Sequence, residues 1–410
     1  MNNEKKLVPK LRFPEFTHAW EQRKLGDLAN SIKSYPLSRN VETEEKTKTK
    51  YIHYGDIHRG IANILNDISV LPNITGEYSE LLSFGDLVVA DASEDYYGVA
   101  APCVINCIYE QNIVAGLHTI AIRPYKSHHL FLYYLLHSSG FKEYCKKVGT
   151  GTKVFAITSK NLLGFESFFP HYEEQQKIGA FFTALDRYIT IHQRKLENIQ
   201  KLKKSLLQKM FPKNDQEFPE IRFPEFTYAW EQRKAKEIFI SVSEKGFPHL
   251  PVLSASQEFG MIRRDDIGID IKYDQKSTQT YKRVSPGQFV IHLRSFQGGF
   301  AWSDIEGITS PAYTIIDFKK KENHSSNFWK LIFTSSSFIK KLETVTYGIR
   351  DGRSISFSDF SDLRLFYSQI QEQQKIGAFF TALDRYITIH QRKLENMQKL
   401  KKSLLQQMFV

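Results

Sequence analysis

The sequence predicts a mixed α+β fold in which two globular α/β domains are joined by two long antiparallel α-helices, a coiled-coil pair with pseudo-two-fold symmetry. A long string at Glu174–Phe211 returns at Glu372–Phe409 with 36 of 38 positions identical. A short block at Arg12–Lys24 returns at Arg222–Lys234 with a single difference. The segments that follow the two short blocks share only scattered residues. A nearly copied frame around unlike interiors predicts two versions of one task, a pattern that a single-purpose enzyme rarely needs.

The repeats divide the chain into six predicted parts. These are a short block at 1–24, a first globular domain at 25–172, a long helix at 173–211, a linker with the second short block at 212–234, a second globular domain at 235–370 and a final long helix at 371–410. Recognition residues are expected in the loops of the two globular domains, because a rigid scaffold tolerates variable loops.

Each long string is predicted to be helical because its apolar residues, Tyr188 and Leu202 among them, recur at spacings of three and four. A helix of this length is a rod of about 57 Å. Its apolar stripe needs a partner, which the second copy supplies, and the departure from a strict heptad favours a short, slightly irregular antiparallel pair. The basic run QKLKKSLLQK near its end is either a solvated face or a phosphate contact. The predicted interface with the second copy or with partner proteins consists of Ile178, Phe182, Leu185, Ile189, Leu196, Ile199, Ile376, Phe380, Leu383, Ile387, Leu394 and Met397.

Both globular domains are predicted to contain several strands and a later helix. In the first, the strands are KYIHYGDI, GDLVVAD, PCVINC and LHTIAIRP, and one helix is expected over His128–Val148. In the second, HLPVLSAS, PGQFVIHLRS and AYTIIDF correspond to those strands, and one helix is expected over Ser326–Val345. Because Gly85–Val89 aligns with Gly287–Ile291, we expect two copies of one fold with altered loops.

Composition places the chain among ordinary globular proteins and favours a polyanionic partner. Hydrophobic residues make up 41% and charged residues 25%, and the formal net charge is +11. A basic surplus of this size favours nucleic acid without deciding for it. Three cysteines do not form a disulfide framework, no apolar run is long enough to span a membrane, and the N-terminus lacks the apolar core of a signal peptide. We therefore expect a cytoplasmic protein.

These features resemble the specificity subunits of type I restriction–modification systems, in particular staphylococcal ones. The resemblance rests on EEQQKIGAFFTALDRYITIHQRKLENIQKLKKSLLQKMF with its later copy, on FPEFTHAWEQRKLGDL and on GDLVVA, and it covers essentially the whole chain. It implies that each globular domain is a target-recognition domain that reads one half of a bipartite, asymmetric, gapped DNA sequence. It further implies that the helix pair sets the gap and docks the methyltransferase subunits, so that the complex methylates adenine or restricts unmodified DNA.

The same resemblance implies partners and cofactors. Double-stranded DNA, two modification (methyltransferase) subunits and two restriction (translocase/endonuclease) subunits are the expected partners. S-adenosylmethionine, ATP and Mg²⁺ are expected on those subunits, and no cofactor and no metal on this chain. Geometry agrees, because a rod of about 57 Å covers roughly 16 base pairs of duplex. Unlike readers on a repeated frame also predict a target that is not a palindrome.

Catalytic motifs are absent from the sequence, so the chain is predicted not to be an enzyme. It has no Pro-Pro pair and so no amino-methyltransferase motif, no phosphate-binding GxxxxGK[ST] and no zinc-binding HExxH. One alternative is a self-sufficient nuclease or methyltransferase, which binding of S-adenosylmethionine by the isolated chain would reveal. The other is a coiled-coil scaffold that binds only protein, which would lack a salt-dependent affinity for DNA.

Base-reading candidates follow from side-chain chemistry, because Arg and Lys suit guanine, Asn and Gln suit adenine, and aromatic rings pack against bases. Each of these side chains could instead be solvated or paired within the protein. In the first domain the candidates are Lys33, Tyr35, Arg39, His53, Tyr54, Arg59, Tyr96, Tyr97, Thr150, Thr152 and Lys153. In the second they are Ser254, Ser256, Gln257, Arg263, Arg264, Arg294, Ser295, Gln297, Arg350 and Arg353.

Overall fold

The chain folds into two compact units. The structure, a computed structural model, describes residues 8–95, 98–151, 153–213, 216–256, 259–267, 275–291, 300–343 and 356–410. The first unit consists of Met1–Arg194 together with Arg392–Val410, and the second of Lys195–Gln391. Each unit therefore contains one of the two unlike segments, the beginning of one long helix and the end of the other.

The described residues of the first unit form two main sheets and four short α-helices. Its sheets have the strand orders β2-β11-β7-β9-β5 and β10-β4-β6-β3, and two small pairs, β1-β13 and β12-β8, complete it. The elements are β1 Glu21–Lys24, β2 Ala29–Ile32, β3 Glu42–Thr43, β4 Thr49–Ile52, α1 Tyr54–His58, β5 Ile64–Leu65, β6 Asn73–Ile74, β7 Leu87–Ala90, β8 Ala92–Ser93, β9 Pro102–Ile105, β10 Asn112–Ala115, β11 Thr119–Pro124, α2 His129–Leu135, α3 Ser139–Val148, β12 Phe155–Ala156, α4 Ser159–Leu163 and β13 Glu166–Phe169, and the helix α5 Tyr172–Lys209 begins in this unit.

In its described residues the second unit repeats this plan with fewer strands. Its main sheet has the order β15-β22-β19-β20, beside the pairs β14-β23, β16-β17 and β18-β21. The elements are β14 Glu231–Lys234, α6 Ala235–Ile238, β15 Phe239–Val242, β16 Leu253–Ser256, β17 Gly260–Arg263, β18 Lys282–Val284, β19 Phe289–Ile291, β20 Phe300–Trp302, β21 Gly307–Thr309, β22 Thr314–Phe318, α7 Ser326–Phe333, α8 Ser336–Glu343, α9 Phe357–Ser361 and β23 Arg364–Tyr367, and the helix α10 Ile370–Met408 begins in this unit.

An inner strand in each unit, β7 in the first and β19 in the second, is buried on both faces. Along β7, Leu87 and Val89 join one apolar cluster, whereas Val88 and Ala90 join another. Side chains alternate between the faces of a strand, so a continuous apolar run such as LVVA fits a sheet that is covered on both sides. In β19 the residues on either side of Val290 face one cluster and Val290 faces another. This matches the predicted alignment of the two segments and the predicted mixed α+β fold.

Two sequence-based expectations about secondary structure are wrong. Each predicted helix after the strands is a pair of helices, because Ser138 accepts a hydrogen bond from Phe141 N at 3.3 Å and Ser335 accepts one from Phe338 N at 3.2 Å. A serine at this position caps a new helix and ends the preceding one. The stretch KYIHYGDI is also not one strand, since β4 ends at Ile52 and α1 begins two residues later.

The two long helices pack antiparallel within each unit. In the first unit, Phe182 near the start of α5 shares a core with Met408 and Phe409 at the end of α10. In the second unit, Phe380 near the start of α10 shares a core with Met210 at the end of α5. The predicted antiparallel helix pair is therefore confirmed, and the structural role of the copied strings is to pack against each other.

The repeated Glu-Gln pair at each helix start binds two different parts of its unit. Glu174 is 1% exposed and accepts two hydrogen bonds from Arg12 of the short block, each at 2.7 Å. Gln175 accepts hydrogen bonds from Ser127 Oγ at 2.6 Å and His128 N at 2.9 Å, and donates to Pro170 O at 2.8 Å. One dipeptide thus holds the short block and the globular segment on the helix.

The second helix start repeats this arrangement. Glu372 accepts from Arg222 at 2.7 Å, and Gln373 accepts from Ser325 N at 3.0 Å and donates to Ser368 O at 2.6 Å. Each short block is bound to the start of a long helix by the same contacts, which explains why block and helix are copied together.

Candidate nucleic-acid interface

Two arginines of the first unit meet on one buried carboxylate. Asp56 in α1 is 3% exposed, and its Oδ1 accepts hydrogen bonds from Arg39 Nη2 and Arg59 Nη2, both at 2.8 Å. Arg39 also donates from Nη1 to Glu42 at 2.6 Å, and Arg59 donates from Nε to Gly55 O at 3.1 Å. Asp56 therefore holds both guanidinium groups in place, while the side chains of Arg39 and Arg59 remain 37% and 59% exposed.

His53 orients the helix that carries this carboxylate. It is buried, and its Nδ1 accepts a hydrogen bond from Gly55 N at 3.1 Å, so it caps α1 rather than facing a ligand. Burial lowers the pKa of His53, and the Arg39 charge lowers it further, which favours the neutral ring that this acceptor role requires. Tyr54 is half-buried and packs edge-on against the His118 ring, with centroids 5.3 Å apart.

A two-stranded ribbon lies beside the end of α1. His58 Nε2 is 2.8 Å from Ala92 O in β8, and β8 pairs with β12. The loop before β12 carries the candidates Thr150 and Lys153, both exposed, and Thr150 exchanges two backbone hydrogen bonds with Ala156. The structure therefore links the end of α1 to Thr150 through the β8–β12 ribbon.

Lys33 and Tyr35 follow β2 and contact a different loop. The backbone N of Lys33 donates to Glu80 at 2.9 Å, and its ammonium lies 5.0 Å from the Tyr35 ring centroid. The hydroxyl of Tyr35 accepts a hydrogen bond from Glu80 N at 2.9 Å and lies 3.2 Å from Ser79 Oγ. Internal hydrogen bonds therefore fix Tyr35, whereas the Lys33 side chain is exposed.

In the second unit the described candidates belong to a hairpin. Ser254 and Ser256 lie on β16, and Arg263 ends the partner strand β17. Arg264 donates from Nε to Ser254 Oγ at 3.2 Å, and Ser256 Oγ accepts from Phe259 N at 3.2 Å. Arg263 is exposed, as is the apolar ring of Phe259 near the tip. The first unit uses a short helix where this unit uses a hairpin, so the two candidate surfaces differ in backbone as well as in side chains.

Several candidates lie outside the described residues, and their placement stays a prediction. They are Tyr96, Tyr97, Thr152, Gln257, Arg294, Ser295, Gln297, Arg350 and Arg353.

Sequence reasoning missed the residues that organise the first surface. Asp56 is the carboxylate on which the arginines meet, and His58 joins α1 to the ribbon. His118 Nδ1 lies 3.3 Å from Asp91 Oδ1. The backbone of His118 has a φ of +54°, a left-handed conformation that is uncommon for residues other than glycine. The capping pattern of HYGDIH could have revealed the helix, but no sequence signal predicts which arginines it gathers.

The predicted helix-pair residues fall into two groups by burial. Leu185, Ile199, Leu383 and Ile387 are partly buried, and the buried group is Ile178, Phe182, Ile189, Leu196, Ile376, Phe380, Leu394 and Met397. Tyr188 and Leu202, also predicted to lie on the stripe, are instead exposed. Tyr188 and Leu202 lie at the edge of the apolar stripe, because the contact between the helices buries only the middle of that stripe.

Part of the basic run near the helix ends forms ion pairs between the helices. In the second unit Lys203 pairs with Asp384, and in the first unit the equivalent Lys401 pairs with Asp186. Lys201 and Lys204 are exposed. The run is therefore partly a helix–helix contact, an alternative that periodicity alone did not suggest.

Neither a metal centre nor a membrane span is found in the part of the chain that the structure describes. No group of three His, Cys, Asp or Glu side chains there could hold a metal ion. Among the same residues, every helix is too short or too polar to cross a bilayer.

Comparison with known proteins places these features in a family. The type I restriction modification DNA specificity domain (Methylase_S) matches residues 18–201, and the repeated frame carries the same architecture into the second unit. We therefore identify residues 18–201 of the chain as a type I restriction–modification DNA specificity domain. Its function is sequence-specific DNA recognition.

Relatives and solved structures cover nearly the whole chain. It is 22% identical over 416 residues to the type I restriction enzyme MjaVIII specificity subunit of Methanocaldococcus jannaschii, covering 96% of this chain and 92% of that protein. The type I restriction–modification S subunit from M. genitalium matches with a TM-score of 0.58 and 16% identity, over 98% of this chain and 99% of that one. A chain from a study of complex assembly and conformational transition of the type I system matches with a TM-score of 0.53 and 14% identity, over 94% and 96%. At such identities the structural matches establish the fold.

Proposed function

We propose that the chain is the non-catalytic DNA reader of a type I restriction–modification complex and that its target is bipartite, gapped and asymmetric. Each globular domain reads one half of the target, and the helix pair sets the gap between them. The observation that carries this proposal is the contrast between frame and loops. The Arg-Glu clamp recurs in both units, and each Gln binds backbone atoms of its own globular segment. The loops differ, because the first unit has a short helix whose Asp56 binds two arginines and the second has a hairpin.

The long helices support the docking of two modification subunits. Ile191 in the first unit and its copy Ile389 in the second are 54% and 55% exposed, and Tyr188 and Tyr386, one turn away on the same helices, are exposed as well. Two isoleucines and two tyrosines that the core does not bury, repeated at equivalent positions, suit two identical partners, each on one unit. The docking subunits would bring S-adenosylmethionine, and two restriction subunits would add ATP and Mg²⁺.

The catalytic steps in this proposal belong to the partners. This chain would select the adenine to be methylated by holding the duplex in one register, and it would act in the cytoplasm, where chromosomal and incoming DNA are found. Its own basic and hydrogen-bonding side chains would supply phosphate contacts for affinity and base contacts for specificity.

Mapping of methylated adenines tests the proposal directly. The chain is co-expressed with the modification subunit of its own system in a host that lacks other adenine methyltransferases, and methylated positions are mapped by single-molecule sequencing with and without the chain. A gapped, asymmetric motif that depends on the chain supports the proposal. A continuous or palindromic motif would contradict the two-reader arrangement, and the absence of any motif would favour a protein scaffold.

Binding experiments on the same complex separate a reader from a scaffold. A reader that contacts phosphates loses affinity for DNA with a steep, linear dependence on the logarithm of salt concentration. A scaffold would show no such dependence beyond that of the modification subunits alone, which serve as the control.

A further inference from the structure

We propose that Arg59 is a guanine-reading residue of the first domain and that Asp56 is the positioning residue that holds it. This inference rests on the proposed function and assigns one base contact within it. It starts from the cluster that Asp56 forms with Arg39 and Arg59.

The first step is the set of hydrogen-bond donors that remain on Arg59. A guanidinium group has five N–H donors, and Arg59 uses Nε for Gly55 O and one N–H of Nη2 for Asp56. Among the described residues, none accepts a hydrogen bond from either N–H of Nη1 or from the second N–H of Nη2. Two neighbouring donors of this kind match O6 and N7 of guanine in the major groove, the commonest specific contact that arginine makes.

The second step is the charge balance of the cluster. Arg39 and Arg59 carry two positive charges, and Glu42 and Asp56 carry two negative ones in direct contact. Such a cluster has little net attraction for a phosphate. Its exposed guanidinium still offers directed hydrogen bonds, and this combination suits a base edge better than the DNA backbone.

The third step is rigidity. Asp56 is buried and belongs to a helix that His53 caps, and the carboxylate holds Arg59 at 2.8 Å. A long side chain that is already held loses less conformational entropy when it binds, so its contact can discriminate between bases. Arg39 shares the same oxygen and adds a second contact to Glu42, so it supports the carboxylate from the other side.

The test uses the full chain in its complex with the modification subunit. In Arg59→Lys the charge stays but the paired donors are lost, and the methylated motif is mapped genome-wide for this variant and for the parent. We expect one position of one half-site to lose its preference for guanine by about 5- to 150-fold, with the other half-site unchanged. Arg23→Lys is the matched control, because Arg23 is equally exposed in the same unit and pairs with Glu21 at 2.7 Å; it should leave the motif intact.

Asp56→Asn tests the positioning role. It should relax the same guanine position, and the double variant with Arg59→Lys should lose little more than either single change, because both act on one contact. Since Asp56 is buried, this variant is compared only if its thermal unfolding matches the parent. If Asp56→Asn unfolds at a lower temperature than the parent, Arg59→Lys alone decides the proposal, because it changes an exposed side chain.

A salt titration distinguishes base reading from phosphate binding. Arg59→Ala should leave the slope of DNA affinity against salt unchanged, whereas Lys153→Ala, at an exposed lysine of the same unit, should reduce it by about one if that lysine contacts a phosphate. An unchanged motif in Arg59→Lys, relaxation in both half-sites, or a reduced slope in Arg59→Ala would each overturn the inference. A parent chain that yields no gapped motif would instead refute the proposed function.

Discussion

The clamp between each short block and its long helix leads to a quantitative prediction. Glu174 is 1% exposed, Arg12 is 14% exposed, and two hydrogen bonds of 2.7 Å join them. Those hydrogen bonds raise the pKa of Arg12 further, so the arginine stays charged. In Glu174→Gln an uncompensated charge remains nearly buried, and breaking one side of such a pair costs about 3–5 kcal/mol. Local opening of the short block should become more frequent by at least about 100-fold, since 1.4 kcal/mol is a factor of ten.

Hydrogen exchange followed by mass spectrometry measures this opening peptide by peptide. Amides in the first short block and at the start of α5 should exchange faster in Glu174→Gln, and the equivalent peptides of the second unit should not change. Glu372→Gln should produce the reverse pattern, because Arg222 binds it in the same geometry. Glu173→Gln, at an exposed neighbour, is the control that should change neither.

A weak effect would refute the reasoning. If Glu174→Gln altered exchange by less than about fivefold, or about 1 kcal/mol, the pair would be exchangeable for a neutral contact. The double variant Arg12→Met/Glu174→Met offers a further check, since replacing both partners with apolar side chains should restore much of the lost protection.

Three further predictions concern packing, docking and modularity. Gly179→Ala should lower thermal stability by about 1–3 kcal/mol, and Gly377→Ala likewise, because a Cβ at Gly179 would lie 2.8 Å from Leu130 Cβ; a higher melting temperature would contradict this. Ile191→Asp, or Ile389→Asp at the equivalent site, should reduce the modification subunits that copurify with the chain from two to one, measured by native mass spectrometry. Two subunits retained in the double variant would rule these side chains out. Exchange of residues 25–172 for another recognition domain should change one half-site of the methylated motif, and a change in both would contradict separate readers.

The repeated Glu-Gln pair shows how one frame can carry unlike domains. Gln175 contacts backbone atoms and one serine hydroxyl in the globular segment, and Gln373 contacts backbone atoms of its own segment. Contacts to backbone depend little on side-chain identity. A new recognition domain can therefore be attached to the same helix as long as its backbone meets the glutamine in the same way.

The sequence by itself determined the features that are local or repeated. Periodicity of three and four predicts the long helices, the apolar run in GDLVVAD predicts a strand, and near-identity of the copies predicts that the units share one frame. These features follow from neighbours along the chain, so no knowledge of distant contacts is needed. The pairing of the helices also follows, because an apolar stripe must be covered and the second copy can cover it, and the departure from a strict heptad favours the antiparallel direction.

Only the tertiary structure decided which side chains act together. Arg39 and Arg59 are twenty positions apart and meet because Asp56 is buried between their segments. Tyr188 follows the same apolar pattern as Ile189, yet the first is exposed and the second buried, because the helix contact covers only part of the stripe. Hydrophobic pattern and residue type determine which interactions a side chain is able to make. Whether it is buried, and which residues it contacts, depends on distant segments that the fold packs against it.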